Sequence, residues 1–294
     1  MTLDLVLEPD RPRDGLVGRL QRRRYAHEHP DADGARRAAE RQLARVGDRG
    51  RLLAVRHDGA TVGEVWLVDD GTTRSVVDLS LDDAALVAAV RRAVVSFAVA
   101  DGALRLAVTV SPGDALAEAF VADGGFAPFS TQMALPLGPS LPAEGVLTLE
   151  PMDDATWRAW EEQEVEAYAA ERVASGESPE QAARVSRESH AELLPDGLGT
   201  EHHHFFVGTV DGERVGSLWL ETARPTAYVY DVVVDEARRR RGHGAALMRA
   251  AALWSREHGH HALGLNVFAH NHGARALYDR LGYRVTEEFW GVAL

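Results

Sequence analysis

A short stretch in the second half of the chain combines positive charge with glycine. Residues 235–247 read DEARRRRGHGAAL, so four consecutive arginines precede Gly242 and Gly244. Glycine permits backbone angles and a close approach that a side chain would block, and a helix that begins at such a loop directs unpaired N–H groups at an anion. The stretch could hold a phosphate, contact nucleic acid or be a solvated charge run, and its spacing favours a phosphate.

The segments around this stretch predict a strand, a loop and a helix in that order. Residues 227–234 are mostly apolar and β-branched, which predicts a strand, and apolar residues from Leu247 onward recur at helical spacing over 243–258. A lysine-dependent phosphate loop is excluded because the chain contains no lysine. The dinucleotide-binding fingerprint fails because Leu247 stands where its third glycine belongs.

The composition restricts the class of ligand. The chain has 294 residues, a net charge of −13 and no cysteine, and this length is sufficient for two domains. An acidic chain repels polyanions, so we expect no nucleic acid or membrane partner, and a cationic or amine substrate is favoured. The lack of cysteine excludes disulfides and a cysteine nucleophile. No signal peptide and no membrane-spanning run is predicted, so we expect a cytoplasmic protein.

Two histidine-rich segments raise the question of a metal site. Residues 201–206 read EHHHFF, and strand alternation would place His202 and His204 on one face and His203 on the other. Residues 258–261, HGHH, have the same limitation. We therefore expect no metal.

The two halves of the chain resemble each other. The segment TVGEVWLV at 61–68 matches RVGSLWLE at 214–221 with an offset of 153 residues. At an offset of 157 residues the matches are Gly102, Leu106, Val110, Gly125 and Phe126 with Gly259, Leu263, Val267, Gly282 and Tyr283. The proline- and glycine-rich segment LGPSLPAEG, 137–145, is the best candidate for a linker. We predict a first domain at 1–137, a linker at 138–145 and a second domain at 146–294.

Each half predicts a mixed α/β fold. The order is a strand, two helices, three strands, a helix, a strand, a helix and final strands. In the second half we place helices near 154–174, 178–193, 243–258 and 272–280, and strands near 204–209, 214–221, 227–234, 262–268 and 283–292. The fold class is therefore α/β, with a mixed central sheet flanked by helices in each of two tandem domains.

Two motifs resemble the signatures of the GNAT superfamily of N-acetyltransferases. Arg239 to Gly244, RRRGHG, matches Q/R-x-x-G-x-G/A, and residues 266–283, NVFAHNHGARALYDRLGY, match the family's second signature. The only two asparagines of the chain, Asn266 and Asn271, lie inside the second motif. The resemblance covers about 147–294, and a degenerate copy covers 1–137.

The resemblance implies that acetyl-CoA is the acyl donor. The arm of the CoA molecule would lie between two strands that part after Val234. Tyr278 would stand near the CoA sulfur, where it would act as general acid to the thiolate or stabilise it by hydrogen bonding. The residues that the resemblance assigns to the cofactor are Val232, Val234, Arg239, Arg240, Arg241, Gly242, His243, Gly244, Ala245 and Asn271. The first half has Asp114 at the position of Asn271 and Val121 at that of Tyr278, so it is expected to be noncatalytic.

Transfer to an amine requires a free lone pair, and an alkyl amine with a pKa near ~10 is mostly protonated at neutral pH. A base or a water relay is therefore expected. Asp231 is our first candidate and Glu221 the second, although Asp231 could equally be a structural carboxylate. Candidates for the acceptor pocket are Glu164, Tyr168, Glu171, Trp219 and Glu221, with Trp219 also a plausible core residue.

These observations predict an acetyl-CoA-dependent N-acetyltransferase that transfers an acetyl group directly to a primary amine of a small molecule, as a monomer or homodimer. An alternative within the class is acetylation of a protein N-terminus. A noncatalytic acyl-CoA-binding sensor is the alternative outside it.

Overall fold

The structure is a computed structural model, and it describes residues 3–8, 12–23, 31–138 and 147–294. The chain divides into two compact units, one of Met1–Thr131 with Val285–Leu294 and the other of Gln132–Arg284. The predicted linker, 138–145, lies outside the described residues except for Gly138. Within the described residues no helix is long and apolar enough to cross a membrane.

The first unit is a mixed sheet with helices. Its elements are β1 (Leu3–Leu7), α1 (Asp14–Arg23), α2 (Ala32–Val46), β2 (Gly50–His57), β3 (Ala60–Asp70), β4 (Thr73–Leu81), α3 (Val87–Ala100), β5 (Arg105–Val110), α4 (Ala115–Ala122) and the start of β6 (Ala127–Pro136). Strands β1 to β4 pair antiparallel in sequence order, and β4 pairs parallel with β5. This matches the predicted mixed α/β fold.

The second unit repeats this plan. Its elements are β7 (Thr148–Pro151), α5 (Asp154–Ala174), α6 (Pro179–Leu193), β8 (His203–Val210), β9 (Glu213–Glu221), β10 (Thr226–Val234), α7 (His243–Glu257), β11 (Ala262–Phe268) and α8 (His272–Leu281). Strands β7 to β10 pair antiparallel, and β10 pairs parallel with β11. The predicted helices and strands up to residue 281 are confirmed within one or two residues.

The last strand differs from the prediction. The strand β12 (Arg284–Ala293) pairs antiparallel with β5 of the first unit, with Glu288 opposite Val110. In turn the end of β6 lies beside β11, and Leu137 donates its N–H to the carbonyl of His261 at 2.8 Å. The prediction that strands near 283–292 complete the second domain is therefore wrong. Because the halves are repeats, two equivalent sheet edges accept the same strand pattern, and the pattern alone does not distinguish them.

The repeat extends to a detail of the sheets. Asp78 on β4 lies opposite Trp66, and Asp231 on β10 lies opposite Trp219. Each of these two strand pairs has a register shift one residue from the aspartate. Both copies thus use the same β-bulge, which bends a strand and redirects its side chains.

The second unit has a separate apolar cluster beneath α5 and α6. Its buried members are Met152, Trp160, Leu194, Phe205 and Trp219. The helix α5 begins at the cap of Asp153, whose carboxylate accepts the N–H of Thr156 at 2.8 Å. This cluster fixes the face of α5 that lies toward β10.

Candidate active site

The strands β10 and β11 diverge within the second unit. They pair only from Thr226 opposite Ala262 to Val229 opposite Leu265, whereas β10 continues to pair with β9 as far as Val234. The expectation that the two strands part after Val234 is therefore wrong, because they part after Val229. The bulge at Tyr230, between Val229 and Asp231, is the physical reason, since it bends β10 away from its parallel neighbour.

Val232 and Val234 lie on the diverging part of β10. Their backbones pair with Leu218 and Gly216 of β9, and their side chains pack around the buried Leu247 of α7. Because a strand alternates the directions of its backbone groups, part of the polar backbone of this segment faces the side from which β11 has withdrawn. The opening between the strands is consequently lined by main-chain hydrogen-bonding groups.

The glycine loop connects β10 to α7. A turn of 3₁₀ helix at Glu236–Arg238 is followed by Arg240 and Gly242 with φ of 64° and 87°, and α7 begins at His243. The first helical hydrogen bond runs from the N–H of Ala246 to the carbonyl of Gly242 at 3.1 Å. The N–H groups of residues 243–245 precede it and have no carbonyl within the helix. The prediction of a helix that starts at the glycines is confirmed.

The arginines of this loop have two different environments. Arg239 donates from Nε to the carbonyl of Val234 at 3.1 Å and so braces the turn. Arg240 and Arg241 are exposed, and within the described part of the chain neither makes a hydrogen bond or ion pair. Two guanidinium groups are thus available to an anion next to the N-terminus of α7.

Asn271 caps the helix α8. Its Oδ1 accepts the N–H of Ala274 at 3.1 Å, which leaves the amide nitrogen of the side chain as a donor. Asp114 caps α4 in the same way, accepting from Ala117 at 3.2 Å. A carboxylate has no donor to replace the amide nitrogen, so the first unit keeps the cap and loses the donor.

Tyr278 is buried on α8, and its ring lies 5.6 Å from that of Tyr283. Burial is the largest cause that raises the pKa of the Tyr278 hydroxyl to about 12, and the negative charges of Asp231 and Glu171 contribute to the same shift. The hydroxyl group is therefore within electrostatic reach of both carboxylates and remains protonated at neutral pH.

Asp231 is held by a tryptophan of α5. The Nε1 of Trp160 donates to Oδ2 of Asp231 at 3.2 Å. Burial raises the pKa of Asp231 to about 6; the hydrogen bond from Trp160 opposes this shift and the charge of Glu171 adds to it. The carboxylate is mostly ionised at neutral pH and is more basic than an exposed aspartate.

The helix α5 brings two glutamates to Asp231. Burial raises the pKa of Glu164 to about 9, with further contributions from the charges of Asp231 and Glu171. Burial also raises the pKa of Glu171, and His270 opposes that shift. Glu164 follows Trp160 by four residues and precedes Glu171 by seven, so all three share a helix face. This spacing is the sequence signal that links Glu164 to Asp231.

Two other predicted residues, Tyr168 and Glu221, make hydrogen bonds away from Asp231. The hydroxyl of Tyr168 accepts from Arg172 at 2.9 Å. The carboxylate of Glu221 is buried and accepts from the backbone N–H of Ala223 and from Arg224 at 3.0 Å. Its charge is not among those that shift the pKa of Asp231 or of Tyr278, so Glu221 holds a turn.

Trp219 is a core residue. It is 2% exposed, donates to Nδ1 of His203 at 2.9 Å and stacks on Tyr230 with ring centroids 4.6 Å apart. Its ring also packs edge-on against Trp160 at 5.5 Å. Trp219 therefore positions the tryptophan that holds Asp231.

The histidine-rich segments show no metal-binding geometry. Within the described ranges, no group of three or more His, Cys, Asp or Glu side chains is placed to hold a metal ion. His204 instead pairs with the hydroxyl of Thr222 at 3.0 Å and packs on Trp254 at 4.8 Å.

The first unit fills the corresponding place with its own arginines. Asp78, the counterpart of Asp231, accepts from Arg19 at 2.7 Å and from Arg23 at 3.2 Å. Arg23 also pairs with Asp114, the counterpart of Asn271, at 2.8 Å. Both arginines come from α1, the helix that follows the first strand of its unit, as α5 does in the second. The site of the second unit has carboxylates where the first has cations.

Comparisons with known proteins bear on the family of the chain. A model of the acetyltransferase (GNAT) family matches residues 154–283. The uncharacterized N-acetyltransferase YycN of Bacillus subtilis (strain 168) is 33% identical over 147 residues, which are 48% of this chain and 94% of that protein. The uncharacterized N-acetyltransferase YdgE of the same organism is 32% identical over 145 residues, which are 47% and 92% of the two chains.

A solved structure extends the likeness in fold to the whole chain. The GCN5-related N-acetyltransferase from Sphaerobacter thermophilus superposes with a TM-score of 0.63 at 17% identity, covering 99% of this chain and 95% of the other. At this identity the likeness concerns the fold. The 33% identity to YycN over 94% of that protein, together with the match to the family model, establishes that the chain belongs to the GNAT family of N-acetyltransferases and is an acyltransferase.

Proposed function

We propose that the second unit transfers an acetyl group from acetyl-CoA directly to a primary amine of a small molecule. The observation that carries the proposal is the position of Asp231 just beyond the point where β10 and β11 diverge, from which its charge acts on the Tyr278 hydroxyl. One group is a carboxylate that is mostly ionised at neutral pH, the other is a buried phenol, and the charge of the first acts on the second. A base and a hydrogen-bond donor are what acyl transfer from a thioester to an amine requires.

The residues of the glycine loop fit the phosphates of the donor. The free N–H groups of residues 243–245 and the dipole of α7 favour an anion, and Arg240 and Arg241 add positive charge. A Cβ at Gly242 would meet no atom within 4 Å, so open space lies where the anion must approach. In this proposal the side-chain nitrogen of Asn271 and the backbone around Val232 and Val234 bind the rest of the donor.

Asp231 acts on the acceptor. An alkylammonium ion must lose a proton before its nitrogen can attack the thioester carbon, and Asp231 accepts this proton directly or through one water. The C–N bond forms as the C–S bond breaks. Of the two protons that the ammonium loses overall, one passes to solvent and the other ends on the sulfur of the released thiol.

Tyr278 acts on the leaving sulfur as a hydrogen-bond donor. With a hydroxyl pKa of about 12 and a thiol pKa of ~8.5, full proton transfer to the thiolate would be uphill by about 5 kcal/mol. Donation of a hydrogen bond avoids this cost and still stabilises the charge that develops on the sulfur. The sulfur then receives its proton from solvent.

The test is release of free thiol from acetyl-CoA in the presence of a panel of small primary amines and N-terminal peptides, with mass spectrometry of the acceptor. We expect a small amine to gain one acetyl group. Acetylation of peptides alone would instead identify a protein N-terminal acetyltransferase. Binding of acetyl-CoA without thiol release from any acceptor would refute the proposal and favour a sensor.

A further inference from the structure

The indole of Trp219 is held by a histidine of β8. Its Nε1 donates to Nδ1 of His203 at 2.9 Å, and Trp219 is 2% exposed. An indole N–H is a donor only, so Nδ1 of His203 is the unprotonated acceptor, whereas an imidazolium ion has donors at both ring nitrogens. The hydrogen bond therefore exists only while His203 is neutral.

Ring contacts link this hydrogen bond to the candidate base. Trp219 lies directly opposite Asp231 in the pairing of β9 with β10. The Trp219 ring packs edge-on against Trp160 at 5.5 Å and stacks on Tyr230 at 4.6 Å. Trp160 in turn donates to Oδ2 of Asp231 at 3.2 Å. Because closely packed interiors transmit displacements, a change in the position of the Trp219 ring reaches the group that stabilises the Asp231 carboxylate.

The first unit retains the tryptophan, as Trp66, and lacks the histidine. The position that corresponds to His203 is Gly50, which lies two residues before the strand partner of Trp66, as His203 lies two residues before the strand partner of Trp219. A Cβ at Gly50 would lie 3.0 Å from Nε1 of Trp66, so a side chain there would crowd the indole. Of the two units, the one with the candidate base is the one that has a side-chain acceptor for the indole.

We propose that His203 is a positioning residue that helps to keep Asp231 ionised. It acts through Trp219 and Trp160. The inference rests on the proposed function, in which Asp231 is the base. While Nδ1 of His203 is unprotonated, it fixes the Trp219 ring and so the surface against which Trp160 packs. Protonation of His203 leaves the buried N–H of Trp219 without an acceptor, which is costly. The Trp219 ring then moves, and the hydrogen bond from Trp160 to Asp231 weakens.

The groups around His203 favour its neutral form. Burial lowers the pKa of His203; the carboxylate of Glu221 on β9 opposes this shift, and the charges of His202 and Arg224 add to it. On β10 the neighbour is the ring of Tyr230, at 5.9 Å from the imidazole. The hydrogen bond from the indole also favours the neutral form. His203 therefore takes up its proton at a lower pH than an exposed histidine does.

The kinetic experiment compares two variants of His203 by the pH profile of kcat/KM for an amine that the protein acetylates. His203→Leu removes the acceptor at every pH. Because the hydrogen bond from Trp160 contributes about one pKa unit to Asp231, the acidic limb of the profile should move up by as much as about one pH unit. His203→Asn places Oδ1 near the position of Nδ1, and this acceptor does not titrate. Its limb should stay where it is in the unmodified protein.

His204→Leu is the matched control. His204 is the next residue of β8 and lies on the opposite face of the strand, where it pairs with the hydroxyl of Thr222 and packs on Trp254. It is partly buried, as His203 is, so the loss of packing is comparable and the limb should not move. An unmoved limb in His203→Leu, an equal movement in His204→Leu, or a limb that moves in His203→Asn as far as in His203→Leu overturns the inference.

Nuclear magnetic resonance of the unmodified protein supplies a measurement that does not depend on the folding of a His203 variant. The indole N–H signal of Trp219 is identified by its absence in Trp219→Phe, and the ring nitrogen signals of His203 report its protonation. We expect the Trp219 signal to change, and its exchange with water to become faster, over the same pH range in which His203 gains its proton. A Trp219 signal that stays constant while His203 is protonated overturns the inference.

The carboxyl carbon signal of Asp231 separates the inference from the proposed function, because it reports the pKa of Asp231 without turnover. We expect this pKa to rise by up to about one unit in His203→Leu and to stay unchanged in His203→Asn. An unchanged pKa in His203→Leu overturns the inference and leaves the acetyltransferase activity in place. Lack of acetyl transfer to any amine refutes the proposed function, whereas the pKa of Asp231 still tests its link to His203.

Discussion

Removal of the hydrogen bond between Trp160 and Asp231 should shift the pH dependence of the reaction. The Nε1 to Oδ2 distance is 3.2 Å, at the long end of the range for N–H···O bonds. Its contribution is therefore near the lower limit for a bond to a charged group, about 1.5 kcal/mol, or about one pKa unit. Because Trp160 stabilises the charged form of the carboxylate, Trp160→Phe raises the pKa of Asp231 from about 6 to about 7.

The assay is a pH profile of kcat/KM between pH 5 and 9. If Asp231 must be ionised to act, the acidic limb of the profile moves up by about one unit in Trp160→Phe. At pH 6 activity falls about fivefold relative to the unmodified protein, and at pH 9 the two proteins are nearly equal. Melting temperatures measured at both pH values separate this effect from a general loss of folded protein.

Trp157→Phe is the matched control. Trp157 lies one turn earlier on the same helix and packs on Phe205 at 6.2 Å, but its Nε1 has no hydrogen-bond partner in the described part of the chain. We expect a comparable loss of aromatic packing and no movement of the acidic limb. An unmoved limb in Trp160→Phe, or an equal movement in both variants, would refute the assignment of Asp231 as the base.

Three further predictions concern the donor site, the leaving group and stability. Gly242→Ala places a Cβ on a residue with a φ of 87°, which costs about 1–2 kcal/mol. Calorimetry should therefore show that the affinity for acetyl-CoA falls by about 5- to 30-fold. Unchanged affinity would contradict the assignment of this loop to the donor. Tyr278→Phe should lower kcat by about 100-fold while KM for acetyl-CoA changes little, and an equal loss of both would argue against its action on the sulfur. The carboxyl of Glu164 has a pKa raised by folding to about 9, so the folded state binds the extra proton and stability falls as pH rises from about 4 toward 9. Glu164→Gln should therefore melt higher than the unmodified protein at pH 9 but not at pH 4, and a constant difference would show that the pKa is not raised.

Local structure, including the glycine loop before α7, was predictable from sequence because it depends on neighbouring residues. The positive φ at Gly242, the start of α7 and the cap at Asn271 each follow from a few consecutive side chains. Tyr278 was predicted from a motif and Asp231 from its isolation on an apolar strand, and the charge of Asp231 contributes to the raised pKa of Tyr278.

The remaining features depend on contacts between distant segments. The bulge at Tyr230 moved the divergence of β10 and β11 five residues earlier than predicted, and strand patterns do not reveal bulges in advance. Glu221 was a candidate base because it is a carboxylate at the end of a strand next to β10. In the structure the N–H of Ala223 and the side chain of Arg224, in the turn that follows, bind its carboxylate. The hydrogen bond between Trp160 and Asp231 joins residues 71 positions apart in the sequence, so no local sequence pattern could predict it.

The two units differ in the charged groups that surround the aspartate beside the bulge. Both copies retain the bulge and the aspartate beside it; Asp78 is buried and Asp231 is partly buried. In the first copy Arg19 and Arg23 pair with Asp78. Burial raises the pKa of the aspartate in both copies; Arg19 and Arg23 oppose this shift at Asp78, whereas the charge of Glu171 adds to it at Asp231. In the second copy burial also raises the pKa of Glu164, and the charges of Asp231 and Glu171 add to that shift. The counter-charge, more than the presence of the aspartate, is therefore the feature that separates the two copies.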